Sequence, residues 1–129
     1  MAEKDVIRTD KAPGPFQGAP YNQAIRVGDL VFVAGQLGIS PDTGSLAGAG
    51  VGAQTEQIMA NLSAILEAAG SGLDKLVKTT VFLMDLGDFA AMNDVYAAHV
   101  GDRPPARSTV QISGLPSGAL VEIEAIAHV

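Results

Sequence analysis

The run LVFVAGQL (30–37) is apolar on both faces of any strand it could form. Alternation puts Leu30 and Phe32 on one side and Val31 and Val33 on the other. The run TVFLM (80–84) repeats the property. A strand with one wet face alternates apolar with polar, so both faces of this sheet must be covered. Only two segments elsewhere carry helical periodicity. Between Ala53 and Ala69, Ile58, Leu62, Ile65, Leu66 and Ala69 recur at helical spacing, and Gly70 supplies the stop. From about Phe89 to His99, the residues Phe89, Met92, Val95 and Tyr96 form a second stripe, with Asp88 as its cap. Two helices cover one face of a sheet this size. The other face needs a separate cover, and another copy of the chain is the simplest. We therefore expect an obligate homo-oligomer.

The remaining elements follow from turn chemistry. NQAIRV (22–27) and LVFVAGQL flank Gly28-Asp29, a strong hairpin signal. SPDTGSLAGAGVG (40–52) reads as loop, and LVKTTVFLM (76–84) as a strand. Residues 1–20 mix charge, Gly and Pro and hold one short strand at most. The last two strands lie in RPPARSTVQ and ALVEIEAIAHV, on either side of Leu115-Pro116-Ser117-Gly118. The order ββ-α-β-α-ββ, free of repeats and linkers, predicts an α+β sandwich with both helices on one sheet face. At 129 residues we expect a single domain, 1–129.

Several function classes are disfavoured at once. The net charge of −6 and the scattered Lys and Arg argue against nucleic-acid binding, which relies on neutralising phosphates. With 5% aromatics and no Trp, a base-stacking platform is poorly supplied. No apolar run reaches the roughly 18 residues of a membrane span. The charged start MAEKDVIRTDKAPG lacks a signal peptide's apolar centre, and zero cysteines suit the cytoplasm.

Three features that invite chemistry have plainer readings. GAGVGA (48–53) fits a loose dinucleotide pattern, but a turn-rich loop precedes it where the pattern needs a strand. His99 and His128, the only histidines, lack carboxylates at metal-ligand spacing or an obvious acidic partner, so no metal is expected. Ser108 sits in no nucleophile elbow and alternates with Val110 and Ile112, which reads as packing.

Arg107 and Glu122 are less easily dismissed. Alternation groups Arg107, Thr109 and Gln111 on one strand face and Leu120, Glu122 and Glu124 on one face of the next. The Leu-Pro-Ser-Gly turn is expected to close a hairpin that sets the two strands side by side, bringing Arg107 within direct or diagonal reach of one glutamate. That is either a cross-strand ion pair, commonly weak, or a site. RPPAR (103–107) rigidly fixes the strand's entry. A planar guanidinium held rigidly grips carboxylates at two points, and a nearby carboxylate can orient or deprotonate water.

Around these residues PPARSTVQISGLPSGALVEIEAIA (104–127) resembles the closing motif of the RidA family, also called YjgF or liver perchloric-acid-soluble protein. PYNQAIRVGDLVFVAGQLGISPDTG (20–44) resembles its opening motif and LVKTTVFLMDLGDFAAMNDVYAAH (76–99) its central one. The likeness runs from about Ala12 onward. It implies a chorismate-mutase-like α+β fold, a mixed sheet with two helices on one face, in a homotrimer with ligand sites between subunits. It also implies a cofactor-free 2-iminobutanoate/2-iminopropanoate deaminase that hydrolyses reactive enamines and imines to 2-keto acids and ammonia. Carried over, the carboxylate-binding arginine falls on Arg107 and the water-orienting glutamate on Glu122. The opening tyrosine falls on Tyr21, with Phe16 as a rival match. Substrate contacts fall on Gly35, Asn93 and Thr109, the last standing where many members have cysteine. The alternatives are a non-catalytic small-ligand-binding or chaperone-like trimer, and an RNA-related role of the kind some relatives' labels suggest.

Overall fold

The computed structural model describes residues 3–129, so Met1 and Ala2 of the expected domain lie outside the described residues. The regular elements run β1 (Lys4–Ile7), β2 (Ala24–Val27), β3 (Leu30–Leu37), α1 (Val51–Ala68), β4 (Leu76–Leu83), α2 (Phe89–Val100), β5 (Ala106–Gln111) and β6 (Val121–His128). All six strands join one sheet in the order β1-β2-β3-β6-β4-β5. The sheet is mixed: β4 and β5 are parallel and every other neighbouring pair is antiparallel. The α+β class and the placement of the elements agree with the sequence reading.

The β2–β3 hairpin closes as predicted, Val27 opposite Leu30, with Gly28 at φ 57° supplying the left-handed backbone the tight turn needs. Helix α1 starts at Val51, two residues before the periodic stripe, because Gly50 caps it in extended backbone. Its stripe of Ile58, Leu62, Ile65 and Leu66 is fully buried on Val31, Val33, Val81, Leu83, Val121 and Ile123. Each such side chain contributes about 1.5–3 kcal/mol on burial. Buried amides brace the ends of this layer. Asn61 donates to the carbonyls of Leu37 and Ile39, fastening the end of β3 to α1. Gln54 donates to Gly48 O at 3.0 Å and accepts from Leu120 N–H at 2.8 Å, tying the glycine loop to the start of β6. The glycines of GAGVGA therefore serve the helix start: a Cβ on Gly48 would lie 2.7 Å from that of Ala53.

The opposite sheet face has no layer over it in the described chain. Leu30 and Phe32 are 42% and 44% exposed there while Val31 and Val33 are buried, the division that alternation predicted. Ser108, read from sequence as packed, is exposed on this face and accepts a hydrogen bond from Lys78 Nζ at 3.3 Å.

One expectation is overturned. Strands β5 and β6 do not form a hairpin, because β4 lies between them. Helix α2 returns the chain as a crossover, so β5 adds parallel to β4 on its outer side. Strand β6, with Val121, Ile123, Ala125 and Ala127 all buried, takes the interior position between β3 and β4. The mostly exposed ARSTVQ of β5 suits an edge. Among the described residues, no helix is long and apolar enough to cross a membrane.

Candidate functional site

Two clefts receive the residues singled out from sequence, and they divide them. The first, about 530 Å³, contains Phe16, Tyr21, Gly35 and Glu122, with Pro15, Leu37, Ile39 and Pro116 among its apolar walls. Its floor depends on an irregularity in β3. Val33 faces Ala125 but Gln36 faces Ile123, so one extra residue bulges out at Ala34-Gly35. A Cβ on Gly35 would fall on the Glu122 carboxylate, with Cδ only 2.7 Å away. The glycine thus makes the space that the acid occupies. Burial pushes the Glu122 carboxyl above its usual range, and the like charge of Glu124 adds to the rise.

The cleft's other wall is the segment before β2. Buried Gln23 donates to the carbonyls of Thr9 and Pro13, each at 2.9 Å, and of Ala12 at 3.2 Å, and accepts from Thr9 N–H at 2.8 Å. This amide pins the segment across the sheet edge. Beyond it, the Tyr21 hydroxyl accepts from Phe16 N–H at 2.6 Å. Tyr21 and Phe16, rival matches in sequence, are therefore partners on one wall. A larger hollow of about 980 Å³ adjoins along Pro13, Tyr21 and Gln23 but contains neither Glu122 nor Arg107.

The second cleft, about 400 Å³, is lined by Arg107 of β5, Asn93, Tyr96 and Val100 of α2, and Pro104-Pro105. Arg107 points to the helix-covered side, opposite Thr79, whereas Glu122 lies opposite Phe82 on the uncovered side. The expected reach from Arg107 to a glutamate is absent, because β4 intervenes and the two side chains leave opposite faces. Instead the guanidinium carbon sits 5.4 Å from the Phe89 ring centre and 4.9 Å from that of Tyr96. The cross-strand ion pair is thereby excluded within one chain. Asn93 Oδ1 is buried without a hydrogen-bond partner. Thr109, half-buried, follows Arg107 on the same strand face.

Sequence reasoning took Phe89 and Tyr96 only as packing for α2. Tyr96 is buried and its hydroxyl meets Thr79 Oγ1 at 2.6 Å, but Phe89 is 41% exposed. Burial pushes the Tyr96 phenol up, against the opposing pull of the Thr79 hydrogen bond and the Arg107 charge. The available signal was their seven-residue spacing, which stacks two rings on one helix face. His99 also corrects its reading: its Nε2 lies 2.9 Å from Glu56 Oε2, an acidic partner supplied by α1. Among the described residues no three His, Cys, Asp or Glu gather as a metal-binding group.

Arg107, without an acidic partner among the described residues, can bind a small carboxylate in one cleft, and the partly desolvated Glu122 can activate water in the other. Against known proteins, the family model for endoribonuclease L-PSP matches residues 9–129. A RutC family protein of Pyrococcus abyssi is 50% identical over 125 residues, covering 97% of each chain. The 2-iminobutanoate/2-iminopropanoate deaminase of Mus musculus is 42% identical, covering 96% of this chain and 90% of that one. Among solved structures, RidA of a Psychrobacter species superposes with a TM-score of 0.92 at 46% identity, covering 97% and 99% of the two chains. Escherichia coli TdcF with bound serine gives 0.89 at 40% identity, covering 97% and 98%.

Proposed function

Because this chain belongs to the endoribonuclease L-PSP family, the family of the RidA and YjgF proteins, we propose that it hydrolyses 2-imino acids. The substrates are 2-iminobutanoate and 2-iminopropanoate, the products are the 2-keto acids and ammonia, and the compartment is the cytoplasm. The carrying observation is the division of the two charged groups. Among the described residues Arg107 has no acidic partner, and Glu122 stands partly desolvated on the opposite face of the sheet. A neighbouring copy seated on the uncovered face, with Leu30 and Phe32 buried between them, would supply one group to the other. We assign a homotrimer with sites between subunits.

In that site the Arg107 fork binds the substrate carboxylate through paired N–H donors. Glu122 accepts a proton from a water that attacks C2 of the imine, and the C=N electron pair moves to nitrogen. Glu122 then returns the proton to the nitrogen of the carbinolamine. Glu122 next takes the hydroxyl proton and passes it to the same nitrogen, so the C2–N bond breaks with its electron pair leaving on ammonia as C2=O forms. Tyr21 and Gly35 shape the wall around Glu122, and Asn93 and Thr109 flank Arg107. The raised carboxyl makes Glu122 a better base near neutrality than an ordinary glutamate. Positioned proton transfer contributes roughly 10²–10⁴-fold, sufficient for an imine that already hydrolyses in water.

The test generates the imine with an amino-acid oxidase in the presence of semicarbazide. Wild type should suppress semicarbazone formation, while Arg107→Ala and Glu122→Gln should not. A wild type that leaves trapping unchanged rejects the proposal. The bound serine of TdcF favours a second reading, a small-ligand binder without catalysis. In that case Glu122→Gln would keep full function.

A further inference from the structure

We propose that Phe89 and Tyr96 are positioning residues that hold Arg107 by the flat faces of its guanidinium so that its N–H edge stays free for a carboxylate. The inference rests on the reading of Arg107 as the carboxylate-binding group. A lone arginine on an edge strand must be held still to bind at two points. Proteins commonly do this with an acidic partner, but such a partner occupies the same in-plane donors that a ligand would use. Aromatic rings engage the other surface of the group, the π face, and leave most of its N–H donors for a ligand.

The geometry supports this division of labour. Phe89 and Tyr96 stand seven residues apart on α2, about 10.5 Å along its axis. The guanidinium carbon lies 5.4 Å and 4.9 Å from their ring centres, within cation–π range of both. Tyr96 is itself fixed, since its hydroxyl bonds Thr79 Oγ1 at 2.6 Å and Thr79 is the register partner of Arg107 across β4–β5. The strand pair that carries the arginine thus also anchors the ring beneath it. Phe89, with no such anchor and 41% of its surface exposed, is otherwise an unexplained apolar side chain at the head of the helix.

Two readouts test the clamp. In a proton–nitrogen correlation spectrum, the Arg107 Nε–H signal should be ordered and displaced upfield by the ring currents, and Phe89→Leu should move it toward the free-arginine position. In the imine assay, Phe89→Leu and Tyr96→Leu should each raise KM roughly five-fold with kcat nearly unchanged. Phe89→Trp, which keeps a ring, should restore KM, and Tyr96→Phe, which keeps the ring but loses its Thr79 anchor, should restore it in part. A purely structural role would lower stability without separating KM from kcat or sorting variants by the presence of a ring. The inference is overturned if Phe89→Leu, which alters an exposed position and should leave the fold intact, shifts neither the signal nor KM. If wild type hydrolyses no 2-imino acid, the proposed function falls, and the Nε–H signal still decides whether the rings hold Arg107.

Discussion

Gly35→Ala adds one methyl group where the Glu122 carboxylate now rests. The added Cβ would stand 2.7 Å from Cδ and 3.0 Å from Cγ, against the 3.4 Å at which ordinary contact begins. The acid must retreat by about 0.7 Å at Cδ, and further at its oxygens. Misplacing a catalytic group by about 1 Å can cost roughly 10²-fold, so kcat should fall about a hundred-fold, near 2.7 kcal/mol of transition-state stabilisation. Stability should move the other way. Burial raises the Glu122 pKa above 4.5, so ionisation opposes folding. That cost is absent below the unfolded pKa and grows as pH rises through the raised folded one. At pH 7 the wild type bears the cost, and a variant whose carboxylate has swung into solvent does not. Gly35 has no positive φ, so alanine brings no backbone strain. We expect thermal melting at pH 7 to be unchanged or slightly higher, alongside the imine assay. A variant with wild-type kcat, or one that melts several degrees lower, would refute the argument that Gly35 exists to seat Glu122.

The same carboxyl predicts a pH profile: kcat/KM should fall on acidification through a pKa above 4.5, and Glu122→Gln should remove that limb along with most activity. Phe32→Glu places a charge on the uncovered sheet face, so light scattering should show wild type as a trimer and the variant as monomer with imine hydrolysis lost. Gln23→Leu leaves Thr9 N–H and three carbonyls without their partner. It should cost roughly 1–3 kcal/mol and speed amide exchange across residues 9–16, read by denaturant titration and hydrogen exchange.

Local pattern and long-range order were unequally legible in the sequence. The two-residue turn at Gly28, the stripe of α1 and the two-sided apolar strands each depend on neighbours within a few residues, and each appeared where expected. Strand β6 formed where expected along the chain but not beside β5, because its place in the sheet is decided by competition. The Leu-Pro-Ser-Gly segment has hairpin composition, yet it is a 3-10 turn within residues 112–120 that carries the chain past β4. The crossover through α2 and the burial of Val121 and Ile123 outweighed turn propensity. The site residues were named through family resemblance, but their arrangement was invisible to alternation, which reports faces within a strand and not which strands adjoin. Phe89 and Tyr96 went unrecognised because an aromatic on a helix stripe satisfies the core pattern whatever lies above it.

The placement of β6 also governs how this chain can be made. The strand that joins β3 to β4 is made after the other five, since it occupies Val121–His128. Until those residues leave the ribosome, the β1–β3 meander and the β4-α2-β5 unit share no strand pairing and each leaves an edge unpaired. A chain stopped before Val121 would lack its central seam, and would present two open sheet edges to proteases and to its neighbours. The two halves of the sheet are therefore joined only once β6 has emerged.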